Sequence, residues 1–119
     1  MIRFRRLFKS FVYAFRGLFR IFHEEQNLKI QTFAAAIVII LGLVVKIRPI
    51  EWCILILAMS SVILMETINS AAERISDVLR PRINSYVKEI KDITAAAVMV
   101  SSLVAAIIGL IIFYPYLFK

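Results

Sequence analysis

The run Trp52-Cys-Ile-Leu-Ile-Leu-Ala-Met-Ser-Ser-Val-Ile-Leu-Met65 carries no charge and passes without a break into Glu66-Thr-Ile-Asn-Ser-Ala-Ala-Glu-Arg-Ile-Ser-Asp77. Read as one helix at about 100° per residue, Glu66, Asn69, Ser70, Glu73 and Asp77 fall within an arc of roughly 100°. Three carboxylates, an amide and a hydroxyl therefore share one face, stepping from membrane depth towards water. An acidic stripe on a helix entering lipid is costly unless it faces protein, a cation or a water-filled cavity. The remainder of the chain has to supply that setting.

The composition is that of a membrane protein. Hydrophobic residues make up 61% of 119 positions, and the mean hydropathy of +0.85 is too high for a soluble domain of this length. The length allows one domain, residues 1–119. The net charge of +7 comes from 15 basic and 8 acidic residues, unevenly placed: Arg3, Arg5, Arg6, Lys9, Arg16 and Arg20 precede any acid. Basic charge without a nucleic-acid motif points to anionic headgroups or nucleotide phosphates, and no nucleic-acid partner is expected. One cysteine, Cys53, leaves no intrachain disulfide, and one histidine, His23, leaves no Cys/His zinc set. No cleavable leader pattern is present, because the first apolar run arrives late, behind an amphipathic segment.

Working outward, residues 1–24 put Phe4, Leu7, Phe8, Phe11, Phe15, Leu18 and Phe22 on one helical face and most of the basic residues opposite. That pattern predicts a helix lying in the membrane interface. A polar hinge over His23–Lys29 follows, then membrane helices at about 28–47, 50–79 and 90–114. Lys46-Ile-Arg48-Pro49 makes the first turn; Pro81 is expected to end the second span. The apolar stretch Ile93–Phe113 gives about 31 Å of helix, enough to cross the hydrocarbon. Tyr114, Tyr116 and Lys119 fall where an interfacial belt belongs. The distribution of Arg and Lys puts the N-terminus and the connection between the second and third spans in the cytoplasm. Alanines at 34–36, 71–72, 95–97, 105 and 106, with Ser101, Ser102 and Gly109, allow close helix contact.

On this topology Glu24, Glu25, Glu66, Glu73, Asp77, Lys91 and Asp92 collect near the cytoplasmic interface. Carboxylates without nearby sulfur or imidazole suit a hard divalent ion such as Mg²⁺, which keeps water and phosphate oxygens in its shell. Neighbouring Lys and Arg suit phosphates, and a carboxylate deeper on the same face can take a proton from a lipid hydroxyl. The set fits phosphoryl transfer at a membrane surface. A helix end snorkelling into water, with Glu73 paired to Arg74 or Arg80, accounts for the same charges without chemistry. Glu66 resists that account, since no Lys or Arg lies within a turn of it on its own helix. Glycine-rich phosphate loops are absent; the three glycines are Gly17, Gly42 and Gly109. A non-catalytic transporter or channel subunit, with Glu66 as its intramembrane acid, is a reading from another class, though no repeat or broken span accompanies it.

Glu66-Thr-Ile-Asn-Ser-Ala-Ala-Glu73 with Asp77, followed by Lys91-Asp92 and an alanine-rich third span, resembles the small bacterial integral-membrane lipid kinases, the prokaryotic diacylglycerol kinase and undecaprenol kinase family. The family signature is Glu-x-x-Asn-(Thr/Ser)-Ala-Ile-Glu-x-x-x-Asp, and Ala72 stands where the family usually has isoleucine. Tyr13, Arg16-Gly17-Leu18 and Glu25 extend the likeness over nearly the whole chain. The resemblance implies an all-α integral-membrane fold, an N-terminal surface helix and three spans, assembled as a homotrimer in the bacterial cytoplasmic membrane with active sites on the cytoplasmic face. It implies Glu66 as catalytic base with Asn69 beside the lipid substrate, and Glu25 and Glu73 as Mg²⁺ ligands. Arg6, Tyr13, Glu25, Glu73, Lys91 and Asp92 would bind ATP; Asp77 has no assigned role. Family substrates divide between diacylglycerol and undecaprenol, and the run Glu25–Ile30 resembles the Gram-positive members, which favour undecaprenol.

Overall fold

The computed structural model describes residues 1–79 and 84–118, with the side chain of Asn84 left aside. It is all-helical: α1 (Phe4–Glu24), α2 (Gln26–Val45), α3 (Pro49–Leu79) and α4 (Asn84–Leu117). Helices α2, α3 and α4 are each long and apolar enough to cross a membrane. Arg80, Pro81, Arg82 and Lys119, to which the sequence assigned a turn, basic charge and part of a belt, lie outside the described residues.

Helix α3 is the spine. It packs most extensively on α4, also lies against α2, and touches α1. Its buried positions are Leu55, Ala58, Val62, Glu66, Asn69, Ser70 and Ser76, which follow one helical stripe in steps of three and four as far as Asn69 and Ser70. The upper half of the stripe is apolar and the lower half polar. At 1.5 Å per residue α3 is about 46 Å long and α4 about 51 Å, so both outrun a hydrocarbon layer of roughly 30 Å. Hydroxyls within the spans are returned to their own helices: Ser61 donates to the Leu57 carbonyl, Thr67 to Ile63, Thr94 to Ile90 and Ser101 to Val98. That is how such side chains are accommodated away from water.

Three helix ends differ from the sequence expectation. The polar hinge is one residue, Glu25, with extended backbone (φ −100°, ψ 114°). Its N–H still donates to the Ile21 carbonyl and its carbonyl accepts from Lys29 N, so Gln26–Lys29 already belong to α2. Helix α2 ends at Val45, because Lys46 takes a left-handed conformation (φ 56°) and Ile47 N–H caps back to the Gly42 carbonyl at 3.2 Å. Helix α4 starts earlier than residue 90 and continues through Pro115 to Leu117. Proline there forfeits the bond to the carbonyl four residues back and crowds it, so the helix ends within the next turn.

The α2–α3 turn is tightly built. Pro49 occupies the first position of α3, and Arg48 N–H donates to Glu51 Oε1 at 2.9 Å, half of a capping box. The same Glu51 oxygen accepts from the Tyr116 hydroxyl at the far end of α4, and Arg48 Nε lies 3.5 Å away. Ile47, Leu55, Ile112 and Phe113 form a small core beside this clasp, flanked by Trp52 and Met59. Trp52 is thus a packing residue, lying on the α2 backbone: a Cβ at Gly42 would stand 2.8 Å from its Cη2. Cys53 is exposed.

Gly42→Val should therefore lower stability by about 1–3 kcal/mol through overpacking. Gly17→Ala, where a Cβ meets nothing within 4 Å, should leave it unchanged or raise it by about 0.5–1 kcal/mol through helix propensity. Thermal unfolding in detergent compares them; equal shifts would mean that the Trp52 contact does not decide the turn.

Candidate active site

The polar half of the α3 stripe and the α1–α2 joint meet at one end of the bundle. Glu66 is only 2% exposed, and its Oε2 has no hydrogen-bond partner. Asn69 and Ser70 are buried beside it, Glu73 is half-buried and Asp77 is exposed, so the stripe grades from dry to wet along α3. Glu51, at the turn end, is fifteen residues before Glu66, or about 22 Å of helix. If the clasp marks one edge of a roughly 30 Å hydrocarbon layer, Glu66 lies inside it and Glu73 and Asp77 lie at or beyond the other edge.

Helices α1 and α2 complete the group. Ser70 Oγ donates to Glu25 Oε1 at 2.9 Å. Asn69 Nδ2 points at Glu73 Oε1 over a long 3.5 Å. Glu25 and Glu73 are both within electrostatic reach of Glu66, and Gln31 of α2 approaches the Glu66 carboxyl. Arg74 does not pair with Glu73. It turns towards α1, donating to the Ser70 carbonyl at 3.3 Å and to the Ser70 hydroxyl, pairing with Glu24, and standing 3.6 Å from Glu25 Oε1. On the α4 side, Lys91 Nζ donates to Asp77 Oδ1 at 3.1 Å.

The expected residues thus separate into groups. Glu25, Glu66, Asn69 and Glu73 come together. Lys91 is held by Asp77, which gives Asp77 a partner. Arg6 and Asp92 are exposed, and among the described residues neither side chain makes a hydrogen bond or ion pair. Tyr13 is also exposed, its ring under the Arg16 guanidinium at 5.7 Å. Sequence reasoning missed Gln31 and the linking role of Arg74. A glutamine in the first turns of an apolar helix is a signal for the former; the latter depends on how α1 and α3 cross.

The donor set is all oxygen, which suits a hard divalent ion. Among the described residues no three His, Cys, Asp or Glu side chains gather tightly enough to enclose a metal. Glu25 and Glu73 would each lend a carboxylate while phosphate and water oxygens fill the shell, the usual habit of Mg²⁺. The residues fit. Above the site an apolar groove of about 620 Å³ runs between α2, α3 and α4, with Gln31 at one end and Phe113 and Tyr114 towards the other.

The model of the prokaryotic diacylglycerol kinase family matches residues 12–113. The chain belongs to that family. It is 38% identical over 112 residues to the undecaprenol kinase of Bacillus subtilis (strain 168), covering 94% of this chain and 91% of the relative. It is 30% identical over 104 residues to a diacylglycerol kinase of Synechocystis sp. (strain ATCC 27184 / PCC 6803 / Kazusa), covering 87% of this chain and 59% of that longer protein. The chain is accordingly a multi-pass membrane lipid kinase with ATP as co-substrate, and the transporter reading falls away.

Asp77→Ala should change stability by no more than about 1 kcal/mol, since the Asp77 side chain is 63% exposed. It should raise the KM for ATP several-fold if Lys91 is held there for phosphate. An unchanged KM would reduce the pair to a surface bridge.

Proposed function

We propose that this protein is a homotrimeric, Mg²⁺-dependent kinase that transfers the γ-phosphate of ATP to the hydroxyl of undecaprenol, recycling the carrier lipid of cell-wall synthesis. The observation that carries the reading is Glu66: a buried carboxylate with one oxygen unpartnered, at membrane depth, beside the two carboxylates suited to metal. Glu66 takes the proton from the lipid hydroxyl as its oxygen attacks the γ-phosphorus, and the bond to ADP breaks. Asn69 orients the lipid end. Glu25 and Glu73 hold Mg²⁺, which when bound neutralises charge developing on the phosphates. Lys91, Asp92, Arg6 and Tyr13 hold the nucleotide. Arg6, Tyr13 and Asp92 make no contact with the central carboxylates within one chain, which is consistent with active sites completed between subunits.

The identity and coverage of the Bacillus relative favour undecaprenol, and the shorter likeness to the Synechocystis relative supports diacylglycerol as the second reading. Helix α1 is proposed to lie in the cytoplasmic interface: it buries none of its residues, and its aromatic face is open. The basic residues of α1 and of the α3–α4 region favour a cytoplasmic N-terminus and active site. Self-association is supported by the open groove and by the small fraction of α2 and α4 buried within one chain.

Phosphoryl transfer from labelled ATP, with both lipids offered side by side in mixed micelles, should label undecaprenol strongly and diacylglycerol weakly; the reverse preference would install diacylglycerol. Glu66→Gln should abolish turnover while nucleotide binding and the trimer's mass in detergent persist. Substantial residual activity would remove Glu66 as base. Glu73→Ala should weaken Mg·ATP binding and raise the Mg²⁺ requirement, and an unchanged metal dependence would place the metal elsewhere.

A further inference from the structure

Four carboxylates, Glu24, Glu25, Glu66 and Glu73, converge where α1, α2 and α3 meet. Among the described residues the one cation paired with any of them is Arg74. Its guanidinium engages four acceptors: the Ser70 carbonyl, the Ser70 hydroxyl, Glu24 and, at 3.6 Å, Glu25. Only a planar fork with several N–H groups can serve such a set at once. The acceptors come from the last residue of α1, the single joint residue and the polar half of α3. Helix α1 has no buried residue of its own, so apolar packing does little to fix the angle at which it leaves Glu25.

We infer that Arg74 is a positioning residue, clamping the α1–α2 joint to α3 through Glu24 so that the Glu25 carboxylate faces Glu66 and Glu73. The inference rests on the reading of Glu25 as a metal ligand for its catalytic consequence, but not for its geometry. The Glu24 and Arg74 side chains are 55% and 41% exposed, and pairs of that kind add little to stability. The contribution of Arg74 is therefore to where Glu25 points, with little effect on whether the protein folds. Ser70 shares the work, because its hydroxyl donates to Glu25 while accepting from Arg74.

The test separates geometry from chemistry. In a Cys53→Ser background, spin labels at Arg20→Cys on α1 and Ala71→Cys on α3 report the angle of α1 by their distance distribution, without metal or nucleotide. Arg74→Gln should broaden or shift that distribution with little change in Tm. It should raise the Mg²⁺ concentration for half-maximal activity and lower kcat by roughly tenfold to a hundredfold, the scale of about an ångström of misplacement. Arg74→Lys keeps the charge without the fork and should recover part of both effects. Glu24→Gln should move the distribution in the same direction as Arg74→Gln, and combining the two should add little further change. An unchanged distance distribution in Arg74→Gln would overturn the clamp, whatever the activity does. A changed distribution with an unaltered Mg²⁺ requirement would uphold the clamp and overturn Glu25 as metal ligand.

Discussion

A buried carboxylate at the end of a long uncharged run of α3 is the constraint from which the rest of the structure follows. Glu66 continues the stripe on which Leu55, Ala58 and Val62 make the helix contacts, so α3 cannot turn it to lipid without exposing that packing face elsewhere. The acid is thereby held between helices, where desolvation makes an unpartnered oxygen expensive. Such a cost persists only where the surroundings enforce it, and the proposed role of that oxygen as a proton acceptor would give the cost a use. Asn69, Ser70 and Glu73 extend the stripe into progressively wetter surroundings, so one helix carries polar groups from the dry interior of the bundle to its solvated end.

The two ends of the bundle divide the remaining tasks. At the turn end, Glu51 ties the start of α3 to the end of α4 through Tyr116, and Trp52 lies on Gly42. This fixes the long helices relative to one another. At the other end the contacts are polar and partly solvated, the character that the proposed binding and release of a nucleotide there requires. The clasp at Glu51 and the buried Glu66 are about 22 Å apart along the same helix, so changes around the proposed site need not loosen the closed end.

Much of this was legible in the sequence. The uncharged runs announced three spans because backbone in lipid has few alternatives to helix, and the 100° arc grouped Glu66, Asn69, Ser70 and Glu73 on the face where α3 carries them. Helix ends were less legible. The break at Glu25 involves neither glycine nor proline, and α4 continues past Pro115 for two more residues despite the bond that proline forfeits. The partners of Arg74 and Glu51 were also hidden, since periodicity gives the face of one helix but not the crossing of two. Arg74 read equally well as a neighbour for Glu73; the approach of α1 decides in favour of Glu24. Nothing in the sequence singled out Glu51, because its partner Tyr116 is distant in the chain and reaches it only through the packing of α3 on α4.

The one-residue joint has a consequence for how this chain can vary in length. Glu25 is at once the only non-helical residue between α1 and α2 and the carboxylate that Ser70 holds towards the site. Adding or deleting a residue beside it would rotate everything on one side of the insertion by about 100° around the helix axis. Either the aromatic face of α1 or the Glu25 side chain would then look the wrong way. Substitutions can be absorbed around this joint, whereas insertions and deletions cannot. Length variation among such chains should therefore collect at the extreme N-terminus and between α3 and α4, leaving the passage from α1 to α2 constant in length.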